Sequence, residues 1–306
     1  MTDDRLDPVG HWADPTAPDP LAELLPRRDP GRATRLLGVL NLTPDSFHDG
    51  GLDPTELASI ERARLLVEEG ADALDLGGES TRPGAKPVPA AEEIARVLPV
   101  LQGVAPLGVP ISVDTMKASV AAAALEAGAA WINDVTGLQH DPEIADVCAA
   151  AGAGLVLMHM RGTPRTMKNL TDYDDVVEET IRFLDHAVDR AIRAGVREDR
   201  IVVDPGLGFA KSADHNLEIL RRLPEYLRLG RPILVGASRK SFLARYDGED
   251  SEDRLEGTLA TTVLAVIGGA SILRVHDVAA NRKSVEVTEA VLRARTMPRA
   301  SSEASC

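Results

Sequence analysis

Carboxylate, amide and cationic side chains recur in this sequence directly after short apolar runs. Apolar runs of this length are typical of buried parallel strands, so the polar residues that follow them lie at the carboxyl ends of the strands. The acceptor-rich members of the set are Asp114, Asn133 and Asp204. Ionised carboxylates only accept hydrogen bonds and pair well with planar donor edges. This group therefore suits a guanidine-like or aminopyrimidinone ring.

A second group is cationic and consists of Arg82, Lys240, Arg274 and His276. The chain has 34 Lys and Arg against 48 Asp and Glu, a formal net charge of −14, so a cationic cluster is a local exception. Such a cluster predicts an anionic ligand, and phosphate fits it best. Asn41 follows the first apolar run, and its amide oxygen is suited to a hard divalent ion. Together these residues predict a flat nitrogenous ring deep in a site with a phosphate or diphosphate at its mouth.

Each of these residues also has a simpler explanation when it is taken alone. Asp114-Thr115 and residues 204–206, Asp-Pro-Gly, are typical of helix caps and turns. Arg274 and His276 could be surface cations before a helix. The functional interpretation depends on the recurrence, because every predicted strand delivers a polar side chain to the same rim.

The elements that must position these residues alternate between strand and helix. The predicted strands cover residues 36–42, 73–76, 110–113, 130–132, 154–158, 200–203, 233–235 and 271–275. The predicted helices cover residues 55–69, 90–104, 117–127, 142–151, 174–194, 215–222, 255–267 and 279–294. Eight strand–helix units over about 260 residues predict an α/β fold, a (β/α)₈ TIM barrel with its active site at the carboxyl ends of the strands. A doubly wound open sheet is the alternative, and no GxGxxG motif supports a Rossmann dinucleotide site.

Composition sets the limits of the folded part and excludes several classes of function. Residues 1–33 are rich in Asp and Pro and predict an irregular extension, residues 34–296 the barrel, and residues 297–306 a flexible tail. The acidic balance argues against nucleic-acid and anionic-membrane partners. We find no apolar stretch long enough for a membrane span and no secretory signal, which predicts a cytoplasmic protein. Cys148 and Cys306 predict neither a disulfide nor a zinc site.

Eight ordered motifs resemble those of bacterial dihydropteroate synthases, members of the pterin-binding TIM-barrel family. The resemblance covers residues 36–294. The motifs are Asn-Leu-Thr-Pro-Asp-Ser-Phe at 41–47, Gly-Gly-Glu-Ser-Thr-Arg-Pro-Gly at 77–84, Ser-Val-Asp-Thr at 112–115, Ile-Asn-Asp at 132–134, Met-His-Met-Arg at 158–161, Asp-Pro-Gly-Leu-Gly-Phe at 204–209, Gly-Ala-Ser-Arg-Lys-Ser at 236–241 and Arg-Val-His-Asp-Val at 274–278. His48 departs from the small polar residue that is more usual in the family, and we expect a mild effect.

The resemblance implies a transferase of folate biosynthesis. It would condense 6-hydroxymethyl-7,8-dihydropterin diphosphate with 4-aminobenzoate to give 7,8-dihydropteroate and diphosphate. By matching position, the pterin would be bound by Asp114, Asn133, Asp204 and Lys240, with Met158 and Phe209 beside it. The diphosphate would be held by Asn41, Arg82, Arg274 and His276, with Mg²⁺ on Asn41. The aminobenzoate site would be shaped by Phe47, Thr81, Pro83, Ser238 and Arg239. Among these, Asp114, Lys240, Arg274 and His276 are the predicted catalytic residues.

The resemblance also implies loop closure and a homodimer. Residues 43–51 and 80–89 would close over the substrates, so residues 80–84 are interpreted as a lid and residues 74–77 as scaffold. The apolar helix around residues 258–267 would serve the dimer. Two alternatives remain open, a pterin-dependent methyltransferase and a non-catalytic pterin-binding relative. The loop at residues 80–83 and the run at residues 238–240 favour the synthase over both.

Overall fold

Eight short parallel strands form the centre of the fold. The structure, a computed structural model, describes residues 33–42, 54–247 and 254–294. The strands are β1 (Arg35–Asn41), β2 (Ala73–Gly77), β3 (Ile111–Asp114), β4 (Trp131–Asp134), β5 (Gly154–Met158), β6 (Ile201–Asp204), β7 (Leu234–Val235) and β8 (Ile272–Val275). The helices are α1 (Pro54–Glu68), α2 (Ala90–Val104), α3 (Ala118–Glu126), α4 (Glu143–Ala151), α5 (Val176–Arg193), α6 (Ala213–Arg221), α7 (Ala244–Asp247), α8 (Leu255–Ile267) and α9 (Val278–Ala294).

The order of the strands distinguishes a barrel from an open sheet. The order is β6-β5-β4-β3-β2-β1-β8-β7, with every adjacent pair parallel. The last-numbered strands therefore lie beside β1, which a doubly wound sheet would not allow. Between β6 and β7 the described contacts are a single bridge, Val203 with Ile233, and a hydrogen bond of 3.0 Å from Val203 N to Pro232 O. The prediction of a (β/α)₈ barrel is confirmed. Few backbone contacts close the barrel between β6 and β7.

Apolar side chains fill both faces of the strands. The layer between strands and helices is aliphatic and includes the fully buried Leu36, Leu74 and Leu155. A separate interior cluster closes the amino end of the barrel with Leu37, Ala73, Trp131, Val156, Val202, Leu234 and Ile272. Gly154 makes room for the Trp131 ring, which a Cβ at that position would meet. Asp114, Asn133 and Asp204 each lie at the carboxyl end of their strand or next to it, away from this cluster.

The sequence predictions of single elements were close to the observed bounds. Strand 154–158 and the helices 90–104 and 255–267 have the predicted bounds. Asp114, Asn133 and Asp204 were expected to follow their strands but lie inside them, because their backbones still pair in the ladder, Asp114 with Gly77 and Asp204 with Met158. The short helix α7 was not predicted. Among the described residues, no helix has the length and apolarity needed to cross a bilayer.

Candidate active site

A pocket at the carboxyl ends of the strands collects most of the predicted site residues. Thirteen residues line it, and ten of them were predicted from the sequence. The ten are Thr81, Asp114, Asn133, Met158, Asp204, Phe209, Ser238, Lys240, Arg274 and His276, and the other three are Val135, Leu207 and Gly236. Because β3 to β8 each contribute at their ends, the barrel brings together residues that are far apart in the chain.

A buried ion-pair network lies along one wall of the pocket. Arg274 Nε donates to Asp75 Oδ2 at 2.6 Å, and Arg274 Nη2 donates to Asp114 Oδ2 at 3.1 Å. Asn133 Nδ2 also approaches Asp75 Oδ2, at 3.4 Å. The guanidinium of Arg274 is therefore held by two carboxylates from β2 and β3. Its charge is balanced inside the barrel rather than free at the mouth.

Asp75 was missed by the interpretation of residues 74–77 as scaffold. Its side chain is 0% exposed, and it touches Arg274 and Asn133 at once. A charged residue inside an otherwise apolar strand, Ala-Leu-Asp-Leu-Gly, was the available signal. Such a residue must have a partner, because burying an isolated charge is costly.

Two buried acceptors at the pocket have no protein donor. Asp114 Oδ1 and Asn133 Oδ1 lack a hydrogen-bond partner within the described part of the chain. Buried polar atoms are nearly always satisfied, so unsatisfied ones in a pocket wall indicate a ligand that supplies the donors. Asp204 adds a third carboxylate, whose Oδ1 accepts from Gly206 N at 2.7 Å. The wall is therefore suited to a ring edge rich in N–H groups.

Burial shifts the titration of the charged residues in this pocket. It raises the pKa of Asp114 to about 8, against the opposing charge of Arg274, and raises the pKa of Asp204 to about 6. Burial, helped by the charge of Arg274, lowers the pKa of Lys240 to about 8. Lys240 Nζ also lies 4.2 Å from the centre of the Phe209 ring, a cation–π distance. The pocket therefore holds mixed charges with little water to screen them.

His276 is a neutral hydrogen-bond donor, which corrects its assignment to the cationic group. Burial, followed by the charge of Arg274, lowers the pKa of His276 to about 3. Ser238 Oγ accepts from the backbone N–H of His276 at 3.2 Å, so its own proton is available for His276 Nδ1 at 3.0 Å. We assign the ring proton to Nε2, the tautomer in which Nδ1 accepts from Ser238 Oγ. Sequence reasoning could not foresee this, because the charge of a histidine depends on its burial.

The comparisons with known proteins agree with this geometry. The family model described as pterin binding enzyme matches residues 37–276. A dihydropteroate synthase from Synechocystis sp. is 46% identical over 292 residues, covering 95% of this chain and 100% of that protein. The solved structure of Xanthomonas albilineans dihydropteroate synthase with 4-aminobenzoic acid has a TM-score of 0.80 at 44% identity, covering 87% of this chain and 94% of that one. The same enzyme in complex with 7,8-dihydropteroate has a TM-score of 0.77 at 40% identity, covering 87% and 95%.

The chain belongs to the dihydropteroate synthases of the pterin-binding enzyme family. This membership confirms the resemblance and favours the synthase over the methyltransferases. It does not test the role of any single residue, so the predicted roles stay predictions.

The base of the predicted lid is fixed in this synthase, whereas its tip is exposed. Lys117 pairs with both Glu79 and Glu93, and Arg96 Nη1 donates to Gly78 O at 2.9 Å. Farther along, Thr81 reaches the pocket, while Arg82 and Pro83 are exposed. Gly84 N donates to Pro164 O at 3.0 Å, which connects the loop to the segment after β5. The structure therefore places Thr81 at the site and leaves Arg82 and Pro83 outside the pocket lining.

The Mg²⁺ site predicted at Asn41 stays a prediction, for which the structure gives the position of this residue. It is the last residue of β1, and a Cβ on Gly77 would lie 3.9 Å from Asn41 Oδ1 and 4.0 Å from Asp114 Oδ2. Asn41 Oδ1 and Asp114 Oδ2 therefore approach the same side of Gly77. Among the residues that the structure describes, no group of three or more His, Cys, Asp or Glu could hold a metal ion. Mg²⁺ usually keeps several waters and binds through one or two protein oxygens and substrate phosphates, so one amide oxygen fits it.

Of the predicted aminobenzoate residues, Arg239 does not line the pocket, as Pro83 does not. Arg239 is exposed and has a left-handed backbone, φ 58°, and its Nε donates to Asp277 Oδ2 at 3.0 Å. Phe47 lies outside the described residues, as does His48. Their roles remain predictions based on the family.

Proposed function

We propose that this chain condenses 6-hydroxymethyl-7,8-dihydropterin diphosphate with 4-aminobenzoate, giving 7,8-dihydropteroate and diphosphate in folate biosynthesis. The observation that carries the proposal is the pair of buried acceptors without protein donors, Asp114 Oδ1 and Asn133 Oδ1, in the pocket of a chain of this family. Relatives of this chain have been solved with 4-aminobenzoic acid and with 7,8-dihydropteroate, which are a substrate and the product of this reaction.

The pterin ring binds on the acceptor wall. Asp114, Asn133 and Asp204 accept from its N–H edge, and Lys240 donates to its acceptor atoms. Met158 and Phe209 pack near the ring, and both are buried side chains of the pocket. Departure of diphosphate leaves a pterin cation, which the ionised carboxylate of Asp204 stabilises in a site of low polarity.

The diphosphate leaves from the mouth of the pocket. His276 donates through Nε2–H, and the predicted contacts of Arg274 and Arg82 add positive charge where negative charge develops. Because Asp75 and Asp114 hold two of its nitrogens, Arg274 acts as a donor of fixed orientation. Mg²⁺ held by Asn41 and the diphosphate oxygens would neutralise the leaving group further.

4-Aminobenzoate attacks the cation through its amine. The aromatic amine is a sufficient nucleophile for a delocalised cation, so no strong base is needed. Thr81, Pro83 and Arg239 would orient the benzoate, together with Phe47 and Ser238. Residues 80–89 would close over the substrates when diphosphate and Mg²⁺ bind. Hydrogen exchange that stays unchanged in residues 80–89 on adding both ligands would contradict this closure.

We also propose a cytoplasmic homodimer. Exposed apolar side chains lie on the neighbouring helices α8 and α9, with Leu264 at 52%, Ile267 at 42%, Val287 at 65% and Val291 at 61% exposure. An exposed apolar surface of this kind supports an interface between copies. Leu264→Asp should shift the sedimentation coefficient to that of a monomer. An unchanged coefficient, or a monomeric wild type, would refute the interface.

Release of diphosphate is the experiment that tests the reaction. The purified chain with Mg²⁺ should release diphosphate only when both the pterin diphosphate and 4-aminobenzoate are present. The matched control substrate is 6-hydroxymethyl-7,8-dihydropterin without the diphosphate, which should form no product. Asp204→Ala should weaken pterin binding in calorimetry. Pterin binding without any diphosphate release would refute the synthase reaction and favour a binding-only protein.

A further inference from the structure

A buried lysine lies beneath the segment that joins β6 to α6. This segment, residues 205–212, follows Asp204 and contributes Leu207 and Phe209 to the pocket lining. The side chain of Lys211 is turned under it, and the residue is only 9% exposed. Lys211 does not line the pocket, and neither the charge balance nor the proposed reaction explains why a cation is buried there.

Lys211 has acceptors for all three of its protons. Its Nζ lies 2.8 Å from His159 Nδ1, 3.0 Å from Gly206 O and 3.1 Å from Phe209 O. Within the described residues, none of its hydrogen-bond partners is a carboxylate. Burial lowers the pKa of Lys211 to about 7, and the charge of Asp204 opposes this. Burying an ammonium without a carboxylate partner is costly. We therefore expect its contacts to hold the segment above it in place.

The segment above Lys211 has a backbone that needs such support. Gly206, Gly208 and Ala210 have positive φ values of 72°, 82° and 49°. A Cβ on Gly206 would collide with His159 O, so the segment passes directly against β5. Glycine adopts such φ values readily, whereas Ala210 is strained there and keeps this conformation only when its surroundings hold it. Lys211 satisfies the two carbonyls that this conformation turns inward, those of Gly206 and Phe209.

His159 is the other half of this support. Its ring is buried and packs edge-on against Phe183, with ring centres 4.9 Å apart. Burial and the nearby charge of Lys211 lower the pKa of His159 well below its ordinary value, so the ring is neutral. Because an ammonium only donates, Nδ1 of His159 is the acceptor. The sequence placed His159 at the end of strand 5, but no role in the reaction uses it.

We propose that Lys211 and His159 form a positioning pair that holds Phe209 and Asp204 in place for the pterin ring. The inference rests on the proposed function and names the residues that shape its pterin site. Phe209 also lies under Lys240 Nζ at 4.2 Å, so a shift of Phe209 moves the cation as well as the ring surface. The aminobenzoate side, at residues 81–83 and 238–239, makes no contact with Lys211 among the hydrogen bonds described. Loss of the pair should therefore weaken the binding of the pterin diphosphate and leave the binding of 4-aminobenzoate unchanged.

The test uses two matched sets of variants of the full chain. Lys211→Met keeps the length of the side chain and removes its donors, and Lys283→Met, at an exposed position on α9, is its control. His159→Leu removes the acceptor, whereas His159→Asn can offer Oδ1 in place of Nδ1. Calorimetry measures the affinity for the pterin diphosphate with Mg²⁺, and steady-state kinetics give the KM for 4-aminobenzoate.

The expected result is selective for the pterin. Lys211→Met and His159→Leu should weaken pterin diphosphate binding about 10- to 100-fold, the usual effect of losing a residue that orients a ligand contact. The KM for 4-aminobenzoate should change less than about 2-fold, and His159→Asn should restore most of the affinity. Lys283→Met should behave like the wild type.

Three results would overturn the pair. They are unchanged pterin affinity in Lys211→Met, an equal loss for both substrates, and a His159→Asn variant as impaired as His159→Leu. If Lys211→Met does not fold, the two His159 variants still decide. Wild-type protein that binds the pterin diphosphate without releasing diphosphate would refute the proposed reaction. The affinities of the variants for the pterin diphosphate would still test whether Lys211 and His159 position the site.

Discussion

Replacement of Asp75 separates a stabilising role from a role in the site. Asp75 is fully buried and lies 2.6 Å from Arg274 Nε and 3.4 Å from Asn133 Nδ2. Asp75→Ala leaves Arg274 with half of its carboxylate contacts and frees the amide of Asn133 to rotate. Removing one partner of a buried ion pair costs about 3–5 kcal/mol of stability. Asp75→Asn keeps the shape and one acceptor oxygen, so its cost should be about 1.5–3 kcal/mol, the value of a hydrogen bond to a charged group.

The same replacement should change the pocket. Arg274 would lose its closest carboxylate, and Asn133 would lose the contact that orients its amide. The charge of Asp75 contributes to the raised pKa of Asp114, so Asp75→Asn should lower that pKa. We expect pterin diphosphate binding to weaken about 10-fold or more, as is usual for the loss of an orienting partner.

The chain contains a matched control for this experiment. Asp72 is also a buried carboxylate paired with an arginine, Arg282, at 2.5 Å, but it lies before β2 at the amino end of the barrel. Asp72→Asn should lower the free energy of unfolding in urea without changing the pterin affinity in calorimetry. If Asp75→Asn behaves in the same way as Asp72→Asn, Asp75 only stabilises the fold and our reasoning is wrong.

Three further outcomes are expected. Burial raises the pKa of Asp114 to about 8, so the folded chain keeps this proton at pH values where the unfolded chain releases it. Asp114 should therefore lower the free energy of unfolding progressively from pH 4 to pH 8, by at most about 1.4 kcal/mol per pH unit. Urea unfolding of Asp114→Asn should therefore show its largest gain over the wild type near pH 8, and an equal difference at both ends of the range would contradict this. Arg274→Ala should reduce transition-state stabilisation by about 2–4 kcal/mol in kcat/KM, and a near-wild-type value would make this arginine structural. Gly206→Ala should cost far more stability than Gly230→Ala, because both have positive φ but only Gly206 would collide with a carbonyl; equal melting temperatures would refute the close approach.

The architecture could be predicted because it depends on local patterns. Buried parallel strands are apolar on both faces, and an amphipathic helix follows each strand, so both can be recognised along the chain. The polar residues at strand ends could be placed on one rim for the same reason. Asp114, Asn133 and Asp204 needed no knowledge of their partners to be assigned to a single site.

The charge state of the site could not be predicted, because it depends on contacts between distant residues. Arg274 and Asp75 are 199 residues apart in the chain, and only closure of the barrel brings them into contact. His276 is neutral because of burial and the cations around it, neither of which can be determined from its neighbours in sequence. Lys211 follows a turn, and nothing local indicates that its side chain points inward under that turn.

The incomplete ladder between β6 and β7 has a consequence for how the barrel opens. β7 has two residues, and one bridge and one described hydrogen bond link its side to β6, so the amides there should exchange by local opening well before global unfolding. Asp204 ends β6 on one side of this gap, and Lys240 follows β7 on the other. A pterin ring held by both would join the two edges with non-covalent contacts that the backbone does not supply. The bound substrate would then link β6 and β7 where backbone hydrogen bonds are few. Amide exchange in residues 201–204 and 233–235 should therefore slow when the substrate binds.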